Sequence, residues 1–241
     1  MSPALEMADI HCHLMPYVDD GAYDRDECLE LLKLEAAQGV RTICLTPHLR
    51  ADMFESTEEV VLEHFGLVRD LVREAGLPLT LYHSREYHYD RLSRKLLQDG
   101  GLRPLGKGRT ILLEFDGRHE AGEILEAVDR VRKSGWCPLI AHVERYLPLH
   151  ERWGFAYDLR EAGALLQLNA GSVLGREGFR QKHLCKTLLN KGLADIIASD
   201  AHDPQVRVPE LDTCARYLEK HFARGTAQKL LCEGPLAILE G

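Results

Sequence analysis

Apolar residues follow two patterns along this chain: short continuous runs, and longer segments in which they recur at helical spacing. The runs predict strands over residues 8–13, 40–45, 79–82, 110–115, 136–141, 165–168 and 195–198. The segments predict helices over residues 24–38, 58–75, 90–98, 120–134, 155–162 and 179–190, with two more at the C-terminus. This alternation favours a parallel α/β fold, either a (β/α) barrel or an open doubly wound sheet.

The predicted elements form one continuous series. A chain of 241 residues is close to the ~250 residues of a typical (β/α) barrel, which favours the barrel over the open sheet. The sequence has no internal repeat, low-complexity tract or linker. We therefore expect a single domain over residues 1–241.

Composition narrows the classes of partner and compartment. The net charge of -8 argues against a nucleic-acid partner. No run approaches the ~18 apolar residues of a membrane-spanning helix, so we expect no membrane insertion. Seven scattered cysteines without a Cys-x-x-Cys pair are typical of a reducing compartment, and we expect a cytoplasmic location.

Potential metal ligands stand where six of the seven predicted strands end. A barrel brings the carboxyl ends of its strands to one face, so these side chains should converge there. Asp20 is added because it lies close to the first two histidines, while Asp19 is interpreted as a turn residue. The predicted ligands are His11, His13, Asp20, His48, Glu86, Glu114, His142, Asp200 and His202.

The spacing of the ligands supports this prediction. His11 and His13 are two residues apart on a strand, so both side chains point to one face, and Asp200 and His202 repeat that spacing. Imidazole and carboxylate ligands suit zinc, manganese or iron. Their number exceeds the needs of one ion and implies two or three ions, able to activate water and polarise a phosphoryl oxygen. The alternative is a set of unrelated, hydrogen-bonded polar residues.

Two arginines complete the predicted site. Arg145 and Arg207 lie within five residues of His142 and His202, where a guanidinium can bind phosphate through two N–H groups.

Cys44 and Arg50 have the Cys-x5-Arg spacing of thiol-dependent tyrosine phosphatases. However, the segment between them contains no glycine and Cys44 lies in a predicted strand, so we assign Cys44 to the core.

Taken together, these motifs resemble the polymerase and histidinol phosphatase (PHP) superfamily, in particular its bacterial capsule and exopolysaccharide tyrosine phosphatases. The resemblance extends from residue 9 to residue 209. Its carriers are Asp-Ile-His-Cys-His, Asp-Asp-Gly, Thr-Pro-His, Glu-Tyr, Glu-Phe, Ala-His-Val-Glu-Arg-Tyr and Ser-Asp-Ala-His. It implies a distorted seven-stranded (β/α) barrel with three metal ions, usually manganese.

The resemblance also implies how the ligands are shared among the ions. One ion would take His11, His13, Glu86 and Asp200; a second would take Asp20, His48 and His202; the third would take Glu114 and His142 and share Glu86. Arg145 and Arg207 match the arginines that hold phosphate in the family. Two departures from the family pattern are Ser84-Arg85, in place of the common Gly-Ala, and Val143, in place of a common proline. Arg85 would put a cation beside the bridging ligand.

Our hypothesis is metal-dependent hydrolysis of phosphotyrosine, with no phosphocysteine intermediate. From the resemblance, the expected partner is a bacterial tyrosine kinase that regulates exopolysaccharide synthesis. One alternative keeps the metal cluster but acts on a small phosphate monoester such as histidinol phosphate. Another is a metal-binding regulatory domain without turnover. The sequence leaves the oligomeric state open, so a homo-oligomer is compatible with it.

Overall fold

Parallel strands joined by helices organise the chain. The computed structural model describes residues 5–241, so residues 1–4 of the predicted domain lie outside the described residues. The strands are β1 (Met7–Cys12), β2 (Val40–Leu45), β3 (His48–Leu49), β4 (Thr80–His83), β5 (Glu86–His88), β6 (Thr110–Glu114), β7 (Cys137–Ile140), β8 (Leu165–Asn169) and β9 (Ile196–Ala198). The helices are α1 (Arg25–Gln38), α2 (Glu58–Glu74), α3 (Arg91–Asp99), α4 (Ala121–Lys133), α5 (Leu147–Glu151), α6 (Phe155–Glu161), α7 (Ala170–Leu174), α8 (Phe179–Asn190), α9 (Leu211–His221), α10 (Thr226–Gln228) and α11 (Gly234–Glu240).

The strands pair in parallel and form a curled sheet. The strands form two hydrogen-bonded sets: one has the order β1-β2-β4, and the other has the order β3-β5-β6-β7-β8-β9. Beyond β9 the chain returns to β1: the amide of Asp200 donates to the carbonyl of His11 at 2.8 Å, and the amide of His13 donates to that of Ala201 at 2.8 Å. The predicted parallel α/β fold is confirmed.

The predicted count of seven strands is not confirmed, because the described residues contain nine strand segments. The predicted strand over residues 40–45 is β2, and a further short strand, β3, follows it after Pro47, which lacks the N–H that strand pairing requires. In the same way, β5 follows β4, the strand predicted over residues 79–82, after Ser84-Arg85. Across the two breaks, the amide of Glu86 still donates to the carbonyl of Pro47 at 3.1 Å. Beyond the breaks, β3 and β5 pair in parallel, with His48 opposite Glu86.

Helix ends follow local sequence signals. Asp24 accepts hydrogen bonds from the amides of Asp26 and Glu27 at the start of α1, and Gly39 ends that helix at φ 96°. Asp90 and Ser93 form a reciprocal capping box at the start of α3. Of the two predicted C-terminal helices, the first is α9, and the second is broken into α10, a π-helical turn over Lys229–Glu233 and α11. Among the described residues, no helix is both long and apolar enough to cross a membrane.

Apolar side chains form two clusters on the strands. The larger cluster packs strand residues against the surrounding helices, with members such as Leu31, Val68, Val128 and Leu188. The smaller one gathers Ile10, Cys44, Leu105, Leu112, Leu139, Ala141, Ile196 and Ala198 with Ile238 and Leu239 of α11. Cys44 is thus a core residue, as its position in a strand predicted. Burial raises the pKa of its thiol.

One glycine is required by the turn after β1. A Cβ atom built on Gly21 would lie 1.9 Å from the carbonyl oxygen of His13 and 2.6 Å from its Cβ. That carbonyl accepts the amide of Ala22 at 3.0 Å, so it is held in place. The turn therefore has no room for any other residue.

We expect Gly21→Ala to destabilise the fold by about 1–3 kcal/mol, the usual cost of overpacking a fitted site. The matched control is Gly66→Ala in α2, where an added Cβ meets nothing within 4 Å. Because alanine is the better helix former by about 1 kcal/mol, that variant should be neutral or more stable. Thermal unfolding of both variants measures the difference, and equal melting temperatures would contradict the expectation.

Candidate metal centre

The predicted ligands stand together at one end of the sheet. His11 and His13 come from the end of β1, whereas His48 and Glu86 are the first residues of β3 and β5, directly after the two strand breaks. Glu114 is the last residue of β6, while His142 follows β7. Asp200 and His202 follow β9, and Asp20 lies in the loop after β1.

All nine residues approach one another closely enough to share metal ions. Four groups offer ligand atoms that lie within 4.8 Å of one another. The groups are His13, Asp20, His48 and His202; His11, His142 and Asp200; His11, His13 and Glu86; and His48, Glu86 and Glu114. Each of the nine residues occurs in at least one group, and four of them occur in two.

Glu86 lies at the centre of the groups. Its Oε1 is 2.9 Å from Nε2 of His142, and its Oε2 is 3.0 Å from Nδ1 of His48. The same Oε2 is 3.3 Å from Nε2 of both His11 and His13. The two β1 histidines therefore share a face, as their spacing predicted, with their Nε2 atoms 3.3 Å apart. One buried carboxylate therefore lies within 3.3 Å of four imidazoles: two from the end of β1, one from β3 and one from the loop after β7.

The mouth of the centre is formed by Asp20 and His48. The Asp20 carboxylate is 51% exposed, whereas Glu86 is fully buried. Oδ1 of Asp20 lies 3.6 Å from Nε2 of His48 and 3.7 Å from Nε2 of His202. The centre thus opens to solvent on the side of Asp20.

Several buried polar atoms in the centre have no hydrogen-bond partner. They are Nδ1 of His48, Oε2 of Glu86, Nδ1 of His142 and Nε2 of His202. Buried polar groups are nearly always satisfied, and unsatisfied ones commonly indicate an ion or water at the site. Imidazole and carboxylate donors suit zinc, manganese or iron. The residues present therefore fit a metal cluster.

The charges in the centre are strongly coupled. Burial alone would raise the pKa of Glu86, but the imidazoles of His11 and His48 hold that pKa well below its ordinary value. Burial would lower the pKa of His48, yet the carboxylates of Glu86 and Glu114 raise it to about 10. Burial and the neighbouring His13 lower the pKa of His202 to about 2. Without metal the carboxylates thus draw protons onto nearby imidazoles, and metal ions would displace these protons.

Strained backbone accompanies the ligands. Among the described residues other than glycine, only Tyr17, Asp52, His142 and Asp200 have a positive φ. Two of these four are predicted ligands. Left-handed backbone at such residues is unfavourable and occurs mainly where function requires it. Asp9 supports the strained segment at Asp200, because its Oδ1 accepts the amide of Ser199 at 3.0 Å and its Oδ2 accepts the Ser199 hydroxyl.

Sequence reasoning missed two of the residues that orient the ligands. Asp19, interpreted as a turn residue, does accept the amide of Gly21 at 3.1 Å, but its Oδ2 also lies 2.7 Å from Nδ1 of His13. Gln167 was not singled out, although its Oε1 is 2.9 Å from Nδ1 of His11. The signal for Asp19 was the adjacent Asp20, whereas nothing in the sequence pattern marks Gln167.

The two predicted arginines both contact Asp200. Nη1 of Arg145 and Nη2 of Arg207 lie 3.0 Å and 2.8 Å from its Oδ2. Arg145 also donates through Nε and Nη2 to the Glu177 carboxylate at 2.8 Å and 2.9 Å. Its pKa is raised, since the neighbouring carboxylates outweigh the effect of burial. The sequence analysis did not identify Glu177.

The residues that depart from the family pattern, Arg85 and Val143, have different structural roles. Arg85, expected beside the bridging carboxylate, directs its guanidinium to main-chain carbonyls, donating to Ser56 at 2.9 Å and to His48 at 3.0 Å. Arg85 therefore holds the loop after β3 and does not add a cation to the ligand cluster. Val143 is buried in the apolar cluster and begins the short 3-10 turn Val143–Arg145.

Comparison with known proteins identifies close relatives of the chain. Residues 7–240 match the family described as capsular polysaccharide synthesis, CpsB/CapC. The tyrosine-protein phosphatase CpsB of Streptococcus pneumoniae is 30% identical over 97% of this chain and 98% of its own length. The tyrosine-protein phosphatase YwqE of Bacillus subtilis (strain 168) is 30% identical over 90% of this chain and 85% of its own.

Solved structures agree with these sequence matches. A chain from the crystal structures of YwqE from B. subtilis and CpsB from S. pneumoniae, described as unique metal-dependent tyrosine phosphatases, superposes with a TM-score of 0.89. It is 29% identical, and the match covers 97% of this chain and 94% of that one. A histidinol phosphate phosphatase from Lactococcus lactis shares the fold, with a TM-score of 0.55 at 14% identity over 90% and 95% of the two chains.

We expect Glu86→Gln to weaken metal binding by at least roughly 100-fold, because even residues that only orient ligands contribute 10- to 100-fold. The amide keeps the shape of the side chain and removes the charge that four imidazoles surround. Glu58→Gln is the control, since that carboxylate is 39% exposed and pairs with Arg103 outside the centre. Elemental analysis after dialysis measures the bound metal, and equal content in both variants would refute the central role of Glu86.

Proposed function

The chain belongs to the CpsB/CapC family of capsular polysaccharide synthesis, and we propose from this that it is a metal-dependent protein-tyrosine phosphatase. The family predicted from the sequence motifs is thereby confirmed. The observation that carries the proposal is the convergence of nine imidazole and carboxylate side chains at one end of the sheet. Relatives that match nearly the whole chain are named tyrosine-protein phosphatases.

The proposed centre holds three ions, with the ligands divided as the family resemblance implies. The first set is His11, His13, Glu86 and Asp200; the second is Asp20, His48 and His202; the third is Glu114, His142 and the shared Glu86. Manganese is our first choice, with zinc or iron as alternatives that the same donors accept. Bound ions of this kind supply an activated water and polarise a phosphoryl oxygen.

Arg145 and Arg207 are the proposed phosphate-binding residues. Nη2 of Arg207 donates to Oδ2 of Asp200, Nη1 of Arg145 lies 3.0 Å from the same oxygen, and each guanidinium keeps further N–H groups. Asp200 therefore links the phosphate site to the ligand cluster, because its Oδ1 lies 3.4 Å from Nε2 of His11. Guanidinium groups stay charged and stabilise the negative charge that develops on the phosphoryl oxygens.

The leaving group and the burial of Cys44 both support hydrolysis of phosphotyrosine without a cysteine nucleophile. The phenol of tyrosine has a pKa near 10, so it departs more easily than an alkyl alcohol. Cys44 is buried among apolar residues, and its raised pKa disfavours the thiolate that a nucleophilic cysteine needs. Hydrolysis proceeds without a phosphocysteine.

The biological setting is inferred from the family. The proposed substrate is a phosphotyrosine protein, in particular a bacterial tyrosine kinase that regulates capsule or exopolysaccharide synthesis. All seven cysteines are free, which supports a cytoplasmic location. We also infer the distorted seven-stranded barrel of the PHP type, counting each interrupted strand once. A small monoester such as histidinol phosphate is the alternative substrate.

We expect the purified protein with added manganese to release phosphate from a phosphotyrosine peptide, and a chelator to abolish this release. Histidinol phosphate and a nucleotide oligomer, assayed in the same way, test the alternative substrates. Cys44→Ser is the control for a thiol mechanism and should retain turnover. Chelator-resistant activity, or no release from the peptide, would contradict the proposed function.

We expect Arg207→Lys to lower kcat/KM for the phosphotyrosine peptide roughly 100-fold, the usual effect of losing one donor to a developing negative charge. Lysine keeps the charge but loses the planar fork. Arg176→Lys is the matched control, because Arg176 forms its own two-point pair with Glu210 and makes no hydrogen bond to Asp200. Steady-state kinetics measure both variants, and equal losses would argue against a phosphate-binding role for Arg207.

A further inference from the structure

Exposed apolar side chains lie in the segments that follow the ligand-bearing strands and form the rim of the candidate metal centre. Nine large hydrophobic residues are exposed in the described part of the chain, and five of them lie in these segments. These five are Tyr17, Tyr23, Met53, Leu147 and Val206. A charged centre with an apolar rim is suited to a phosphate ester whose organic part is itself apolar.

One segment of this rim is a small hairpin after β3. The amide of Arg50 donates to the carbonyl of Phe54 and the amide of Phe54 to that of Arg50, both at 2.9 Å. Asp90 accepts the amide of Ala51 at 2.6 Å, and Arg85 holds the carbonyl of Ser56 at 2.9 Å. These hydrogen bonds hold the chain before and after Phe54, so the position of Phe54 is fixed.

Phe54 lies directly against the predicted ligand His48. The two rings are stacked at 5.4 Å between centroids and 12° between planes. His48 in turn reaches Asp20 at the mouth of the centre and Glu86 at its core. Among the described residues, the other phenol or phenyl ring paired with a predicted ligand is that of Tyr146, which is buried and whose hydroxyl accepts the amide of Phe115. Phe54, in contrast, is only partly buried.

We propose that Phe54 packs against the phenyl ring of phosphotyrosine and makes the site select aryl over alkyl phosphate monoesters. The inference rests on the proposed function. A phosphate held by the ligand cluster and the arginines would carry the ester's phenyl ring one oxygen away from phosphorus and thus close to the ligands, and Phe54 stacks directly on one of these, His48. Aromatic pairs favour offset or edge-to-face arrangements with centroids about 4.5–7 Å apart, which a partly exposed phenylalanine at this position can provide.

The test separates the ring from the phosphate with two inhibitors. A peptide containing phosphonomethyl-phenylalanine carries both groups and cannot be hydrolysed, whereas inorganic phosphate lacks the ring. We expect Phe54→Leu to raise the inhibition constant of the phosphonopeptide roughly 3- to 10-fold, as the energy of an aromatic pair implies, and to leave that of phosphate unchanged. Phe54→Trp should retain tight binding of the phosphonopeptide.

Control measurements distinguish direct contact between Phe54 and the substrate from an indirect effect of Phe54 on the ligand His48. Phe179→Leu makes the same substitution at an 82% exposed phenylalanine that stacks on His183 outside the metal centre, and it should change neither constant. Metal content and melting temperature of Phe54→Leu should equal those of the wild type. Unchanged phosphonopeptide binding, or a parallel loss of phosphate affinity and bound metal, would overturn the inference. Failure of the wild type to hydrolyse phosphotyrosine would instead remove the proposed function.

Discussion

The burial of the Glu86 carboxylate among four imidazoles is the interaction on which the rest of the structure depends. A buried carboxylate is costly unless charges and hydrogen bonds compensate it. His11, His13, His48 and His142 surround it at 2.9–3.3 Å, and three segments of the chain bring them there. The parallel sheet makes this possible, because it delivers successive strand ends to one place without long loops. The centre is therefore a consequence of topology as much as of the residues.

A layer of hydrogen bonds outside the ligands keeps them in position. Asp19 joins the turn after β1 to His13 and also accepts the amide of His48 at 2.8 Å. Gln167 contacts His11 and accepts the amide of His142, both at 2.9 Å. Such contacts fix the orientation of ligand rings and raise their basicity. The hydrogen bond from Gln167 also helps to hold His142 in a left-handed conformation that few residues adopt unaided.

The sequence identified the strands and the nine converging residues because both depend on local signals: an apolar run, and a polar residue where that run stops. Glu114 and His142 illustrate this, since each ends or closely follows its strand. What escaped prediction depends on contacts distant in sequence. Gln167 lies 156 residues from His11, and Glu177 lies 32 residues from Arg145. Strand ends close to Pro47 and Ser84-Arg85 were predicted, but the short strands β3 and β5 beyond them were not, since hydropathy does not show which backbone groups find hydrogen-bond partners.

The existing contacts of Arg145 limit how it could serve the proposed phosphate site. Two of its guanidinium nitrogens donate to Glu177, and the third, Nη1, lies 3.0 Å from Oδ2 of Asp200. A phosphoryl oxygen that approaches Arg145 would therefore meet an N–H of Nη1 or the second N–H of Nη2, unless Glu177 moves away. The pair with Glu177 fixes the plane of the guanidinium and leaves fewer orientations for an incoming oxygen. Arg207, which donates to Asp200 through Nη2 alone among its side-chain nitrogens, has more donors free. The two arginines are consequently unequal: Arg145 orients Asp200 and offers single N–H contacts, whereas Arg207 can still offer its planar fork.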